Sequence, residues 1–173
     1  MILYLIDMNE SMVNAWRAAF DDTPHVHIST GELLSSAIGT VVSPANSSGF
    51  MDGGIDASYM RFFGPQIESR VRNAILARPD QTLPVGASLV VETGHPTITS
   101  MIVAPSMVMP EPVPKSNCYR AFRAALRVFD HPLVANTIYC PGIGTGVGRV
   151  GPSDAAQEMA EAYRDWYIAS NVR

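Results

Sequence analysis

Asn46 and Asp56 stand ten positions apart, at the two ends of a loop of small residues. The β-branched pair Val41 and Val42 precedes the loop and predicts the end of a buried strand. Apolar residues then recur at helical spacing, which predicts a helix that begins near Gly54. A glycine-bearing loop at a helix start offers free backbone N–H groups to an anion and lets a ligand approach the backbone closely.

The two polar side chains bring chemistry to this loop. The neutral amide of Asn46 is suited to hydrogen-bonding a hydroxyl group in a fixed direction. The carboxylate of Asp56 can orient or deprotonate a water molecule, and we expect the helix start to keep it ionised. The alternative is a tight strand-to-helix turn, with Asn46 as a turn residue and Asp56 placed near the helix dipole.

A second glycine-rich loop follows the last predicted strand, residues 133–140. Residues 141–149 read Pro-Gly-Ile-Gly-Thr-Gly-Val-Gly-Arg, with four glycines in alternation, and the last predicted helix begins near Ser153. A dinucleotide-binding fingerprint would belong to the first strand of its fold, and a P-loop would need Gly-Lys-Ser/Thr, so both are rejected.

These loops resemble the two ligand loops of the macrodomains, the family that binds ADP-ribose. That family typically reads Asn-Ala-Ala-Asn, then small residues, a glycine run and Val-Asp. Here residues 43–46 read Ser-Pro-Ala-Asn and residues 52–56 read Asp-Gly-Gly-Ile-Asp, with the family's spacing between the last Asn and the Asp. Gly-Thr-Gly-Val-Gly at residues 144–148 resembles the loop that wraps the pyrophosphate, although Gly148 stands where many members have an aromatic residue. We expect Gly144 and Gly146 to leave room for a pyrophosphate and to adopt φ values that other residues resist.

Glu32 is a third point of resemblance. Residues 29–34 resemble the Gly-Asp-Ile-Thr segment of macrodomains, in which the acid accepts a hydrogen bond from the adenine amino group. Glu32 stands fourteen residues before Asn46, which is the family's spacing, with Glu in place of Asp. The alternative is an exposed Glu in the first turn of a short helix.

The resemblance implies one cleft with the catalytic pair Asn46 and Asp56, and with neither a metal nor a cofactor. The implied ligand contacts are Glu32, Leu33, Asn46, Gly53, Gly54, Ile55, Gly142, Gly144, Thr145, Gly146, Val147 and Gly148. Phe50 and the residues around Met107 are candidates to close the cleft.

Three functions are compatible with this resemblance. The first is hydrolysis of an ADP-ribose adduct, either a modified carboxylate side chain or a small ester such as O-acetyl-ADP-ribose. The second is a phosphatase for ADP-ribose 1″-phosphate. The third is a non-catalytic reader of ADP-ribose or a related nucleotide, which needs only the two loops.

Strands and helices alternate along the chain, which predicts a three-layer α/β/α fold with a mainly parallel, mixed central sheet. Strands are predicted at residues 2–6, 25–28, 87–93, 98–104 and 133–140, and we expect one macrodomain-like domain over residues 1–173. The first strand ends at Asp7, Met8 and Asn9. Asp7 or Asn9 is most simply a helix N-cap, although a polar residue at the carboxyl end of a parallel strand often contacts a nucleotide.

The composition limits the partners and the compartment. With 173 residues and a net charge of −4, the chain has no basic surface for nucleic acid, so backbone dipoles must meet the ligand's phosphates. Cys118 and Cys140 form neither a metal motif nor a disulfide framework, and we expect both to be reduced. No apolar run has transmembrane length and no signal peptide is visible, so we expect a cytoplasmic protein whose partner is ADP-ribose or an ADP-ribosylated substrate, without a membrane.

Overall fold

A computed structural model describes residues 1–171 of the chain. The elements are β1 (Ile2–Asp7), α1 (Glu10–Ala19), β2 (Val26–Thr30), α2 (Leu33–Ser36), β3 (Thr40–Ser43), α3 (Gly54–Phe63), α4 (Gln66–Leu76), β4 (Leu89–Glu92), β5 (Ser100–Val103), α5 (Ser116–Arg127), β6 (Thr137–Cys140) and α6 (Pro152–Asn171).

The six strands form one sheet in the order β2-β1-β6-β3-β5-β4. Only β4, at one edge, runs antiparallel to its neighbour. The predicted mainly parallel, mixed sheet is therefore confirmed. Because the other five strands share one direction, the loops that follow them all leave the sheet at the same side, where the carboxyl ends of the strands lie.

Helices cover both faces of this sheet and create two apolar cores. On one face, α1, α5 and α6 pack over β1 and β6 through Trp16, Phe122 and Met159, none of which is exposed to solvent. On the other face, α3 and α4 place Tyr59 and Ile67 against the sheet. Strands buried on both faces read as continuous apolar runs, and that pattern made them visible in the sequence.

Helix starts agree with the sequence, whereas strand lengths differ. Helices begin at Gly54 and Pro152, close to the predicted starts near Gly54 and Ser153. The last strand is shorter than predicted because residues 131–134 form a turn, in which the Val134 N–H donates to the His131 carbonyl. Both cysteines are free and buried. Within residues 1–171, no helix is long and apolar enough to cross a membrane.

Candidate functional site

A cavity of about 610 Å³ opens at the carboxyl ends of the parallel strands. Segments after five strands contribute to it: residues 6–9 from β1, 31–34 from β2, 44–58 from β3, 106–110 from β5 and 141–148 from β6. Its volume is within the range of small-molecule sites, which is about 300–1,000 Å³. Every residue predicted as a ligand contact, and both members of the predicted catalytic pair, lines this cavity. Their contacts with a ligand stay a prediction.

The Asn46 amide holds the first loop in shape. Its Nδ2 donates to the Phe50 carbonyl at 2.8 Å, and its Oδ1 accepts from the backbone N–H groups of Ser48 (3.1 Å) and Phe50 (3.3 Å). The loop is also tied to α4, because the Met51 N–H donates to Glu68 Oε2 at 2.7 Å. The structure thus gives Asn46 the turn role that was the alternative prediction, and a bond from Asn46 to a ribose hydroxyl stays a prediction.

The start of α3 presents free backbone donors to the cavity. Gly53 is the N-cap, with extended backbone (φ −141°, ψ 158°) and no side-chain cap. The first intrahelical bond of α3 is donated by the Ala57 N–H to the Gly53 carbonyl at 3.3 Å. The N–H groups of Gly54, Ile55 and Asp56 are therefore left without an intrahelical acceptor, as in the first turn of any helix. These donors and the helix dipole favour an anion at this point.

The second loop presents a longer row of free donors. None of the six backbone N–H groups from Ile143 to Gly148 donates to an acceptor among residues 1–171. Other bonds hold the loop at both ends: the Gly142 N–H donates to Asp7 Oδ2 at 3.1 Å, and the Val150 N–H donates to the Gly144 carbonyl at 3.0 Å. Buried backbone donors seldom lack partners, and Ile143, Gly144 and Gly148 are buried, so this row indicates a binding surface for an acceptor-rich group.

Two glycines of this loop have different structural demands. Gly144 has a φ of +74°, so the prediction about its φ is confirmed, and a Cβ there would also lie 2.8 Å from the Cys118 sulfur. That Gly144 leaves room for a pyrophosphate stays a prediction. The prediction that Gly146 adopts an unusual φ is wrong. Gly146 is not among the positive-φ glycines, and a Cβ there would meet no atom within 4 Å. Gly146 lines the cavity, so its contact with a pyrophosphate stays a prediction.

Asp56 is more deeply buried than its place at a helix start suggests. The residue is 6% exposed, and its Oδ1 accepts a hydrogen bond from Ser43 Oγ at 2.6 Å. Burial raises the pKa of Asp56 to about 7, while the Ser43 hydrogen bond opposes this rise. The expectation that the helix start keeps Asp56 ionised is therefore wrong near neutral pH, because desolvation disfavours the charged carboxylate. Near neutral pH the carboxyl group can either accept or donate a proton.

Glu32 lies in the cavity wall and is also exposed. It is the N-cap residue of α2 but makes no side-chain cap bond, and its Oε2 instead accepts from Ser35 Oγ at 3.0 Å. A carboxylate has about four lone-pair sites, so Glu32 keeps acceptor capacity for an amine. Its contact with adenine stays a prediction.

The end of β1 contributes cavity residues that the sequence analysis treated mainly as caps. Asn9 is the N-cap of α1, because its Oδ1 accepts from the Ser11 N–H at 3.0 Å. Asp7 accepts from the Asn9 N–H at 2.9 Å and from Gly142, and both residues line the cavity together with Met8, whose side chain is 75% exposed. The signal in the sequence was a polar residue at the end of an apolar strand. What it lacked was the position of β1, between β2 and β6.

The electrostatic character of the cavity is acidic. The part of its wall that the structure describes contains Asp7, Glu32, Asp52 and Asp56 but no Lys, Arg or His. Backbone donors must therefore hold an anion. Donor groups of a ligand can hydrogen-bond to the carboxylates. Arg72 lies outside the wall, with its guanidinium 4.1 Å from the centre of the Phe50 ring, which does line it.

Comparisons with known proteins give matches to one family. The family model "Macro domain" matches residues 42–159. A protein of Aquifex aeolicus described as uncharacterized is 33% identical over 140 residues, which cover 80% of this chain and 81% of that protein. A macro domain-containing protein of Streptomyces coelicolor is 29% identical over 132 residues, which cover 76% and 78% of the two chains.

Solved structures show the same fold at lower identity. The macrodomain of Mycobacterium tuberculosis DarG has a TM-score of 0.67 and 21% identity, over 79% of this chain and 88% of that one. A mutant Oceanobacillus iheyensis macrodomain with ADPR has a TM-score of 0.67 and 17% identity, over 78% and 74% of the two chains. The segment with Asp7 and Glu32 lies before the range that the family model matches.

Proposed function

Because the chain belongs to the macro domain family, we propose that its cavity binds ADP-ribose and that the protein hydrolyses an ADP-ribose adduct. One observation carries this proposal: two rows of free backbone N–H groups border the same cavity as a buried carboxyl group with a pKa of about 7. The donors suit a pyrophosphate, which brings many acceptor oxygens and no donors. The carboxyl group suits proton transfer close to neutral pH.

The bound ligand would extend across the strand ends. The pyrophosphate would lie on residues 143–148 and at the start of α3, where the donors are free. The base would lie toward Glu32, beyond β1, and the distal ribose toward Asn46 and Asp56. The mutant Oceanobacillus iheyensis macrodomain of the same fold is bound to ADPR, which supports the choice of ligand.

Hydrolysis would use Asp56 as the general base. As the oxygen of a water molecule bonds to the anomeric carbon or to the ester carbonyl carbon, the carboxylate takes one of its protons. The bond to the leaving oxygen breaks. A carboxylate or a phosphate departs as the anion, whereas an alcohol departs after the protonated Asp56 gives its proton to the leaving oxygen. The proposed substrates are ADP-ribosylated carboxylate side chains, O-acetyl-ADP-ribose and ADP-ribose 1″-phosphate. Pinned phosphates would hold the reacting carbon against the water.

A non-catalytic reader is the second candidate, favoured by the Asn46 amide. This amide uses its oxygen and one N–H within its own loop, so only its second N–H is left to contact a ribose hydroxyl or a water. The free N–H rows would still bind the diphosphate without any catalytic group.

Calorimetric titration with ADP-ribose, together with a release assay on the three adducts, separates these candidates. We expect micromolar binding, about −8 kcal/mol, and release of ADP-ribose or phosphate from at least one adduct. Asp56→Asn is the matched control for turnover, since it replaces the carboxyl group with an amide of similar size. Tight binding without turnover of any adduct would favour the reader, and absence of ADP-ribose binding would overturn both candidates.

A further inference from the structure

The contact between Ser43 and Asp56 joins the last residue of β3 to the first turn of α3. Both residues are buried, at 1% and 6% exposure, and their oxygens lie 2.6 Å apart. Ser43 itself does not line the cavity, whereas Asp56 does. Within residues 1–171, no other group hydrogen-bonds to the carboxyl group of Asp56. The second oxygen, Oδ2, has no hydrogen-bond partner among these residues but is not fully enclosed, so solvent reaches it.

We propose that Ser43 is the positioning residue of the site: its hydroxyl fixes one oxygen of Asp56, so that the other oxygen faces the cavity and receives the proton of a bound water. This inference rests on the proposed function and names a residue that would act through Asp56. A single short hydrogen bond from a rigid strand end restricts the rotation of a carboxyl group. When Asp56 is ionised, its carboxylate can only accept, so the Ser43 hydroxyl must be the donor. This hydrogen bond therefore favours the ionised form of Asp56, which is the form that acts as a base.

The surroundings of Asp56 leave this role to Ser43. Tyr59, one turn further along α3, donates its hydroxyl to the Val42 carbonyl at 2.8 Å rather than to Asp56. Burial, followed by the charge of Asp56, raises the pKa of Tyr59 well above its ordinary value, so the phenol stays neutral. Cys140 on β6 is buried and its pKa is likewise raised, first by burial, so it also stays neutral.

The charged groups that share the cavity with Asp56 are all carboxylates. They are Asp7 after β1, Glu32 after β2 and Asp52 in the first loop. None of them, and no cation, contributes to the displaced pKa of Asp56, which has burial as its largest cause and Ser43 as its second. Removing the Ser43 hydroxyl therefore leaves burial unopposed and should favour the protonated acid.

The experiment measures the titration of Asp56 directly and the pH dependence of turnover separately. Carbon-13 NMR of labelled aspartate carboxyl groups gives the midpoint in the wild type, and Asp56→Asn assigns its signal. We expect Ser43→Ala to raise this midpoint by about 0.5 pH unit or more, because hydrogen bonds to charged groups are stronger than neutral ones. The rise of kcat with pH should move by the same amount, with ADP-ribose affinity unchanged. Ser43→Thr, which keeps a hydroxyl, should return both midpoints toward the wild-type values.

Ser100→Ala is the matched control, since it also removes a buried serine hydroxyl from the sheet, one bonded to Thr40 Oγ1 at 2.8 Å. It should leave the Asp56 midpoint in place. An unchanged or lower midpoint in Ser43→Ala, or an equal rise in Ser100→Ala, would overturn the inference. If the midpoint rises but the wild type cleaves no adduct, the Ser43 contact has the proposed effect on Asp56 and the proposed hydrolysis is wrong.

Discussion

The Asp7 carboxylate accepts a hydrogen bond from the backbone N–H of Gly142 at 3.1 Å, and so ties the end of the first strand to the second glycine loop. The contact is close: a Cβ on Gly142 would lie 2.9 Å from the same carboxylate oxygen. Asp7 thereby engages the donor next to the six free ones. It fixes the loop in place while adding a negative charge to an acidic cavity.

Substitutions at Asp7 should separate these two effects. Asp7→Ala removes both backbone hydrogen bonds, and we expect it to weaken ADP-ribose binding by about tenfold, which is 1.4 kcal/mol. Asp7→Asn removes the charge but keeps one acceptor oxygen, whereas Oδ1 and Oδ2 of Asp7 accept one backbone bond each, so it should lose less affinity than Asp7→Ala. Calorimetry at fixed salt measures both. Asp21→Ala, at an exposed site, is the control. Wild-type affinity in Asp7→Ala would show that the loop does not depend on this tether.

Gly146→Glu should abolish ADP-ribose binding without unfolding the protein. A Cβ at position 146 would meet no protein atom within 4 Å, so we expect the fold to accommodate Glu there, with its bulk and charge in the cavity that Gly146 lines. Gly151→Glu is a matched control, because that position also has open space and lies outside the cavity wall. Calorimetry and thermal unfolding measure the two properties. A folded Gly146→Glu variant that binds normally would mean that the pyrophosphate does not lie on this loop.

Glu32 should select adenine over hypoxanthine. Its carboxylate can accept from an exocyclic amine but disfavours a carbonyl group at the same place. We expect Glu32→Ala to weaken ADP-ribose binding by about 1.5–3 kcal/mol and to narrow its advantage over the inosine analogue. The control is Glu161→Ala on the exposed side of α6. Equal preference for the two nucleotides in wild type and variant would assign Glu32 only a role at the start of α2.

The sequence predicted the elements and the two loops because their signals are local. Helical spacing after Gly54 and the glycine alternation before Arg149 do not depend on the rest of the fold. Strand order is not local, so the sequence could not show that β1 lies beside β6 and brings Asp7 to Gly142. The same reason explains the misjudged ionisation of Asp56. A helix start is visible in the sequence, whereas the packing that removes water from Asp56 comes from the assembled sheet.

Turnover should depend on Asp56 and on pH. If Asp56 is the base, Asp56→Ala loses about 10²–10⁴-fold in kcat while still binding ADP-ribose. In the wild type, kcat should rise as pH increases through about 7, because only the ionised carboxylate accepts a proton and burial raises its pKa to that value. Initial rates of adduct cleavage from pH 5 to pH 9 test this. Turnover of Asp56→Ala at the wild-type rate would require a different base.

The displaced pKa of Asp56 should also appear in the stability of the protein, independently of any substrate. The folded-state pKa is about 7, above the ordinary value of 3.8, so the folded protein holds this proton more tightly than the unfolded chain. The resulting stabilisation is complete below about pH 4 and is lost as pH rises through about 7. Each unit of pKa difference corresponds to about 1.4 kcal/mol, so the loss should reach a few kcal/mol.

Asp56→Asn cannot ionise, and it should therefore gain stability relative to the wild type between pH 4 and pH 8. Urea unfolding of both proteins across this range measures the difference. Parallel curves for the two proteins would mean that Asp56 ionises in the folded state as readily as it does in water.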